Sequence, residues 1–147
     1  MGVKYIEDIN DEEMDKWIKA LRSGEFNQAE GLMYKAASNG FCCLGVLEAI
    51  NGADKSSMDG VVVNGKSLYW LPTTKTVNLL NLPQEYVEMG SSETSSVCVK
   101  ANQENQKEKY EMKNNGTISV TVLNDGLGLT FNQIADRLEE TFLRKEA

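Results

Sequence analysis

Cys42 and Cys43 are the residues of this chain best placed to do chemistry. They open an apolar segment, Phe41-Cys42-Cys43-Leu44-Gly45-Val46-Leu47-Glu48-Ala49-Ile50, and a helix N-terminus favours the thiolate, the nucleophilic form of cysteine. A nucleophile of that kind would make the protein a small hydrolase or transferase, with Asp125 as an alternative base. Two facts weigh against it. The chain contains no histidine, which removes Cys/His and Ser/His pairs, the usual zinc and non-haem iron ligand sets, and the commonest neutral-pH base. The thiols are also flanked by Phe41 and Leu44, a setting in which cysteine behaves as a small buried hydrophobe. Cys42, Cys43 and Cys98 lack the spacing of a thiolate metal site, so neither a metal nor a cofactor is expected.

Gly60-Val61-Val62-Val63-Asn64-Gly65-Lys66-Ser67 satisfies the letter of the phosphate-loop pattern. That pattern works by wrapping backbone amides and a helix N-terminus around phosphate oxygens. Three valines favour a strand instead, and Leu68-Tyr69-Trp70-Leu71-Pro72 is no helix start. The segment reads as a hairpin turning at Asn64-Gly65. Asn124-Asp125-Gly126 and Asp136 carry oxygen ligands for a hard cation but lack the regular loop spacing, and the first three read as a turn.

With no catalytic constellation, the residues point to a binding protein. Arg22 has the fork that grips a phosphate or carboxylate; Tyr34 and Trp70 are aromatics on which a base stacks; Gln28 adds a polar contact. Asn124 and Asp125 are further contact residues on their loop. The implied ligand is a small nucleotide-like molecule or a protein partner, and a homo-oligomer is expected.

These side chains must be held by a fold, and the elements are legible. Asn10 caps a helix in which Met14, Trp17, Ile18 and Leu21 form one apolar stripe, ended at Gly24. Asn39-Gly40 is a two-residue turn between two short strands. The segment from Cys43 to Ile50 is apolar all round and predicts a buried helix. Val97–Val99 predicts a strand, residues 100–114 an exposed strand pair or a mobile loop, and Thr117–Leu123 an alternating, half-buried strand. Thr130 and Gln133 form a capping box before Phe131, Ile134, Ala135, Leu138 and Phe142. The class is α+β: one domain over residues 1–147, with about three helices on an antiparallel sheet built from hairpins.

At 147 residues the chain buries a core without metal or disulfide staples. Its net charge of −7 disfavours direct nucleic-acid binding, while leaving open an acidic decoy of a DNA-binding enzyme. Three cysteines, two of them adjacent, suit a reducing cytosol, and no apolar run reaches the ~20 residues of a membrane span.

Two stretches resemble a known group. Lys16-Trp17-Ile18-Lys19-Ala20-Leu21-Arg22-Ser23-Gly24-Glu25-Phe26-Asn27-Gln28 leads to Phe41-Cys42-Cys43-Leu44-Gly45-Val46-Leu47, and Leu123-Asn124-Asp125-Gly126 leads to Thr130-Phe131-Asn132-Gln133-Ile134-Ala135-Asp136. Together they resemble a family of small uncharacterised proteins of phages and prophages. The resemblance implies an accessory protein in a bacterial host cytosol that acts by binding, in counter-defence, either blocking a host protein or sequestering a nucleotide signal. It brings no catalytic residues with it, and residues 52–115 take no part in it.

Overall fold

Asn10 starts the first helix by the chemistry its position predicts: its side-chain oxygen accepts the Glu13 N–H at 3.2 Å, satisfying one of the orphan donors of a helix start. The computed structural model describes residues 9–30, 33–35, 37–52, 62–63, 66–67, 74–89 and 94–143. Helix α1 (Asp11–Arg22) buries Met14, Trp17, Ile18 and Leu21, the predicted stripe. Helix α2 (Cys43–Ile50) lies against it, and the Trp17 indole donates to the Cys43 carbonyl at 3.0 Å. Residues Cys43 to Glu48 of α2 are all buried. Gly45 permits that position: a Cβ there would sit 1.9 Å from the Met33 carbonyl oxygen, so any side chain would push α2 off the Met33 backbone.

Three two-residue strands form a small mixed sheet. Strand β3 (Gly40–Phe41) is central, with β2 (Tyr34–Lys35) antiparallel on one side and β1 (Asn27–Gln28) parallel on the other. The turn differs from the expected one. Lys35 pairs with Gly40, so the link is residues 36–39, and Asn39 takes the left-handed conformation (φ 49°) while Gly40 already belongs to the strand. Strands β4 (Val62–Val63) and β5 (Lys66–Ser67) pair antiparallel with Val63 opposite Lys66; the expected turn at Asn64-Gly65 lies outside the described residues. The apparent phosphate-loop lysine therefore lies in a strand, not at a helix start.

A short helix α3 (Thr74–Asn78) and a 3₁₀ turn (Gln84–Tyr86) precede the second sheet, in which β7 (Ser95–Lys100) lies between β6 (Val87–Met89) and β8 (Thr117–Ser119), all antiparallel. The register places Val87, Val97, Val99 and Ile118 on one face, and the last three are fully buried. The opposite face is polar: the Ser96 and Ser119 hydroxyls hydrogen-bond at 2.8 Å.

Two segments depart from their sequence pattern. Residues 100–114 contain a helix, α4 (Gln106–Glu111), started by the Asn105 side chain, which accepts the N–H groups of Lys107 and Glu108. The predicted strand from Thr117 stops at Ser119, where both alternating faces are already buried. The chain then winds into a wide helical turn over Val122–Gly126, closed by the Leu127 N–H on the Val122 carbonyl at 2.9 Å. Such five-residue hydrogen-bonded turns are rare, and alternation alone carries no sign of one. Helix α5 (Phe131–Leu138) has the predicted capping box in full and buries Phe131, Ile134, Ala135 and Leu138. The architecture is α+β: α1, α2 and α5 are the longest helices among the described residues, joined by one core that runs from Met14 through Leu44, Val97 and Ile134 to Phe142. No helix among the described residues is long and apolar enough to cross a membrane.

Candidate functional site

Gln28 and Asn124 stand 96 residues apart in sequence and meet in the fold. The Gln28 amide donates to Asn124 Oδ1 at 2.9 Å and to the Leu129 carbonyl at 2.7 Å, and its Oε1 accepts the Phe131 N–H at 3.0 Å. The Asn124 amide donates to the Ala29 carbonyl at 2.9 Å and to Asp125 Oδ1 at 2.7 Å. Strand β1 supplies Gln28. The wide turn at Val122–Gly126 turns Asn124 inward until it is almost wholly buried. A buried amide with every donor and acceptor used is a rigid brace.

The brace forms the floor of an open depression of about 450 Å³ between the mixed sheet and the loop after the wide turn. Its walls add Glu30, Lys35 and Ser38 on one side and Gly128 and Leu129 on the other. A volume of this size holds a small organic ligand. Lys35 is half-buried, and Glu30 and Ser38 are exposed.

The structure brings only part of the expected contact set to this place. Arg22 is engaged elsewhere: its guanidinium donates to Asp136 Oδ1 at 2.6 Å and to Glu139 at 3.4 Å, tying α1 to α5. Those carboxylates raise its pKa further. Tyr34 is buried against Phe41, with its hydroxyl donating to Asn39 Oδ1 at 3.0 Å, so its ring is not a stacking platform. Trp70 lies outside the described residues. Asp125 is half-buried beside Asn124, and Asp136, the other possible cation ligand, is the partner of Arg22.

The two thiols are not poised for attack. Burial pushes the Cys42 thiol up to about 12, against the smaller opposing effect of the Gly45 N–H, which donates to its sulfur at 3.4 Å. Cys42 acts as the helix cap. Burial, and then the neighbouring Cys42, raise Cys43 as well, and its thiol donates to the Val120 carbonyl at 3.6 Å. Desolvation outweighs the helix start that motivated the nucleophile expectation.

Sequence reading missed Glu30, Lys35 and Ser38. Lys35, just before the turn, and Ser38, within it, look like ordinary solvated hairpin residues, and only the approach of residues 124–129 across from them makes a concave wall. It also missed Glu108 and Arg137. The guanidinium donates to both carboxylate oxygens, at 2.8 and 2.7 Å, and to the Lys100 carbonyl at 2.7 Å. Burial alone would raise the Glu108 pKa; the bonds from Arg137 and from the Asn102 N–H, with the Arg137 charge, outweigh it and hold the carboxyl below its usual range.

Fold and site together define a small α+β domain with a braced polar depression on its surface. The sequence pattern of a domain of unknown function, DUF8296, matches residues 9–142, and the chain belongs to that family. No curated protein and no solved structure matches it.

Proposed function

We propose that this protein works by binding rather than by catalysis, and that the depression over Gln28 and Asn124 is its ligand site. The convergence of two sequence-remote amides into one saturated brace under a polar concavity is the observation that carries this reading. Preorganised walls lower the cost of holding a ligand. The remaining chemistry supports it: the thiols with nucleophilic potential are buried, with pKa values pushed up. The acidic-decoy reading is weakened by pairing, since Glu13, Asp15, Glu88, Glu108, Asp136 and Glu139 each face a basic partner. In a phage or prophage setting, the lifestyle implied by the resembling motifs, such a module would act as an accessory protein that sequesters a small signal.

Native mass spectrometry of the purified protein tests this, with any retained molecule released by unfolding and identified. The expected result is a stoichiometric small molecule, read together with the oligomer number. Ser38→Trp, which places an indole over the depression from an exposed loop position, should abolish retention without loss of fold. A clean apo mass, together with a Ser38→Trp variant that leaves every measurable binding event unchanged, would overturn the assignment.

A further inference from the structure

Two opposite charges line the depression without meeting. Neither the Lys35 ammonium nor the Glu30 carboxylate forms an ion pair or hydrogen bond with any described residue, including each other. The other described lysines without a partner, Lys75, Lys107 and Lys109, are exposed, whereas Lys35 is half-buried. A lysine on a concave wall without a counter-ion is an incomplete pair, and a ligand carboxylate would complete it. Glu30 lies on the exposed part of the same lining. It repels an anion brought to Lys35 alone and attracts a cation held beside it.

The rest of the lining fixes the class more closely. Gln28 and Asn124 have spent their amides on the brace, so they offer a ligand shape rather than charge. Among the described residues the lining holds one cation and one carboxylate, a formal charge of zero, and no aromatic ring. A polyphosphate would meet a single lysine and a repelling carboxylate, and a base would find no stacking partner among the lining residues. Resting on the binding reading above, we propose that the depression takes a small zwitterion, a free amino acid or a short peptide. Its carboxylate sits on Lys35, and its ammonium sits on Glu30.

The test is a calorimetric and thermal-shift titration with the common free amino acids, a set of dipeptides, the N-acetyl and amide derivatives of each, inorganic phosphate and AMP. At least one amino acid or dipeptide should bind with a Kd below about 1 mM, and the better series identifies the source. Both its N-acetyl derivative, which lacks the ammonium, and its amide, which lacks the carboxylate, should lose tenfold or more. Glu30→Gln should weaken the parent tenfold yet bind the N-acetyl derivative as well or better, since its lone carboxylate no longer meets a repelling charge, and Lys35→Gln should weaken the parent tenfold yet bind the amide as well or better. The zwitterion assignment falls if no zwitterion binds at that level, if Glu30→Gln leaves the parent unaffected, or if phosphate or AMP binds more tightly in a Lys35-dependent way. In that last case the binding function survives and only the ligand class is wrong. If no probe binds and native mass spectrometry releases nothing, both fall together.

Discussion

Two polar latches hold distant parts of this chain together, and they are made of different chemistry. One is neutral: Gln28 and Asn124 join β1 to the wide turn by amide hydrogen bonds. The other is charged: Arg137 of α5 grips Glu108 of α4 through two parallel bonds, with side-chain exposures of 15% and 5%. The neutral latch forms the floor of the depression, and neither residue of the charged one lines it. An amide brace adds rigidity with no net charge of its own, and Lys35 and Glu30 are the charged side chains among the described lining residues. Where a polar segment must simply be pinned to a helix, a bidentate ion pair does it with more energy per contact.

Breaking the charged latch should have the largest effect. Glu108→Ala strands a guanidinium that is largely removed from water and leaves the Asn102 N–H without its acceptor. A loss of about 3 kcal/mol is expected, read by urea unfolding, and hydrogen exchange should rise across residues 102–112. The latch also carries a pH signature. The folded Glu108 carboxyl has a pKa below its unfolded value, so its contribution is present above the usual carboxylate range and is lost as pH falls through the folded pKa. The wild type should lose stability on acidification below about pH 4.5, and Glu108→Gln should flatten that slope. An unchanged acid limb in the variant would assign the acid sensitivity to other carboxylates.

The neutral latch predicts the opposite behaviour. Asn124→Ala removes two donors and an acceptor from a buried position, leaving the Ala29 carbonyl and the Gln28 amide short of partners, at a cost of about 2 kcal/mol near neutral pH. Asn124→Asp sharpens the contrast. A carboxylate in place of the amide would face the Ala29 carbonyl and Asp125 Oδ1, now 2.9 and 2.7 Å from the Asn124 nitrogen. Burial and that neighbouring charge would raise its pKa. This variant should therefore be weakest near neutrality and regain stability as pH falls, the reverse of the slope from Glu108. Parallel pH profiles for the two sites would refute the distinction.

The sequence made the capped, periodic elements visible because their signals are local. Asn10, Thr130 and Gln133 act within three residues of themselves, and the stripes on α1 and α5 follow the helix period. The wide turn at Val122–Gly126 was only half legible: Asn124-Asp125-Gly126 reads as a turn, but Val122 and Leu123 continue the alternation from Thr117, and the decision to wind early is made by burial on both faces of β8. The polar run 100–114 read as mobile because its anchor, Arg137, lies 29 residues from Glu108. The site was half-legible for a related reason. Gln28 and Asn124 were named as separate contacts and proved to be one brace. Lys35 and Glu30 carry no sign in sequence of sharing a concave wall.

Arg22 gives the smallest effect and the cleanest control for the comparison. Like Arg137 it bridges to a partner remote in sequence, Asp136 and Glu139 on and just after α5. Unlike Arg137, its pair is open to solvent, with exposures of 35% for the arginine and 63% and 52% for the acids. Water and salt screen such a pair, and ordering three long side chains offsets most of the attraction. Arg22→Ala should therefore cost about 0.5 kcal/mol, shrinking toward zero near 1 M salt, where the screening length is about 3 Å. Glu108→Ala should keep most of its cost at the same salt. Because Arg22 does not line the depression, its removal should leave ligand retention intact while Ser38→Trp abolishes it. A loss of binding on Arg22→Ala with stability unchanged would move the ligand site to the α1–α5 junction, and the amide brace would then be scaffolding alone.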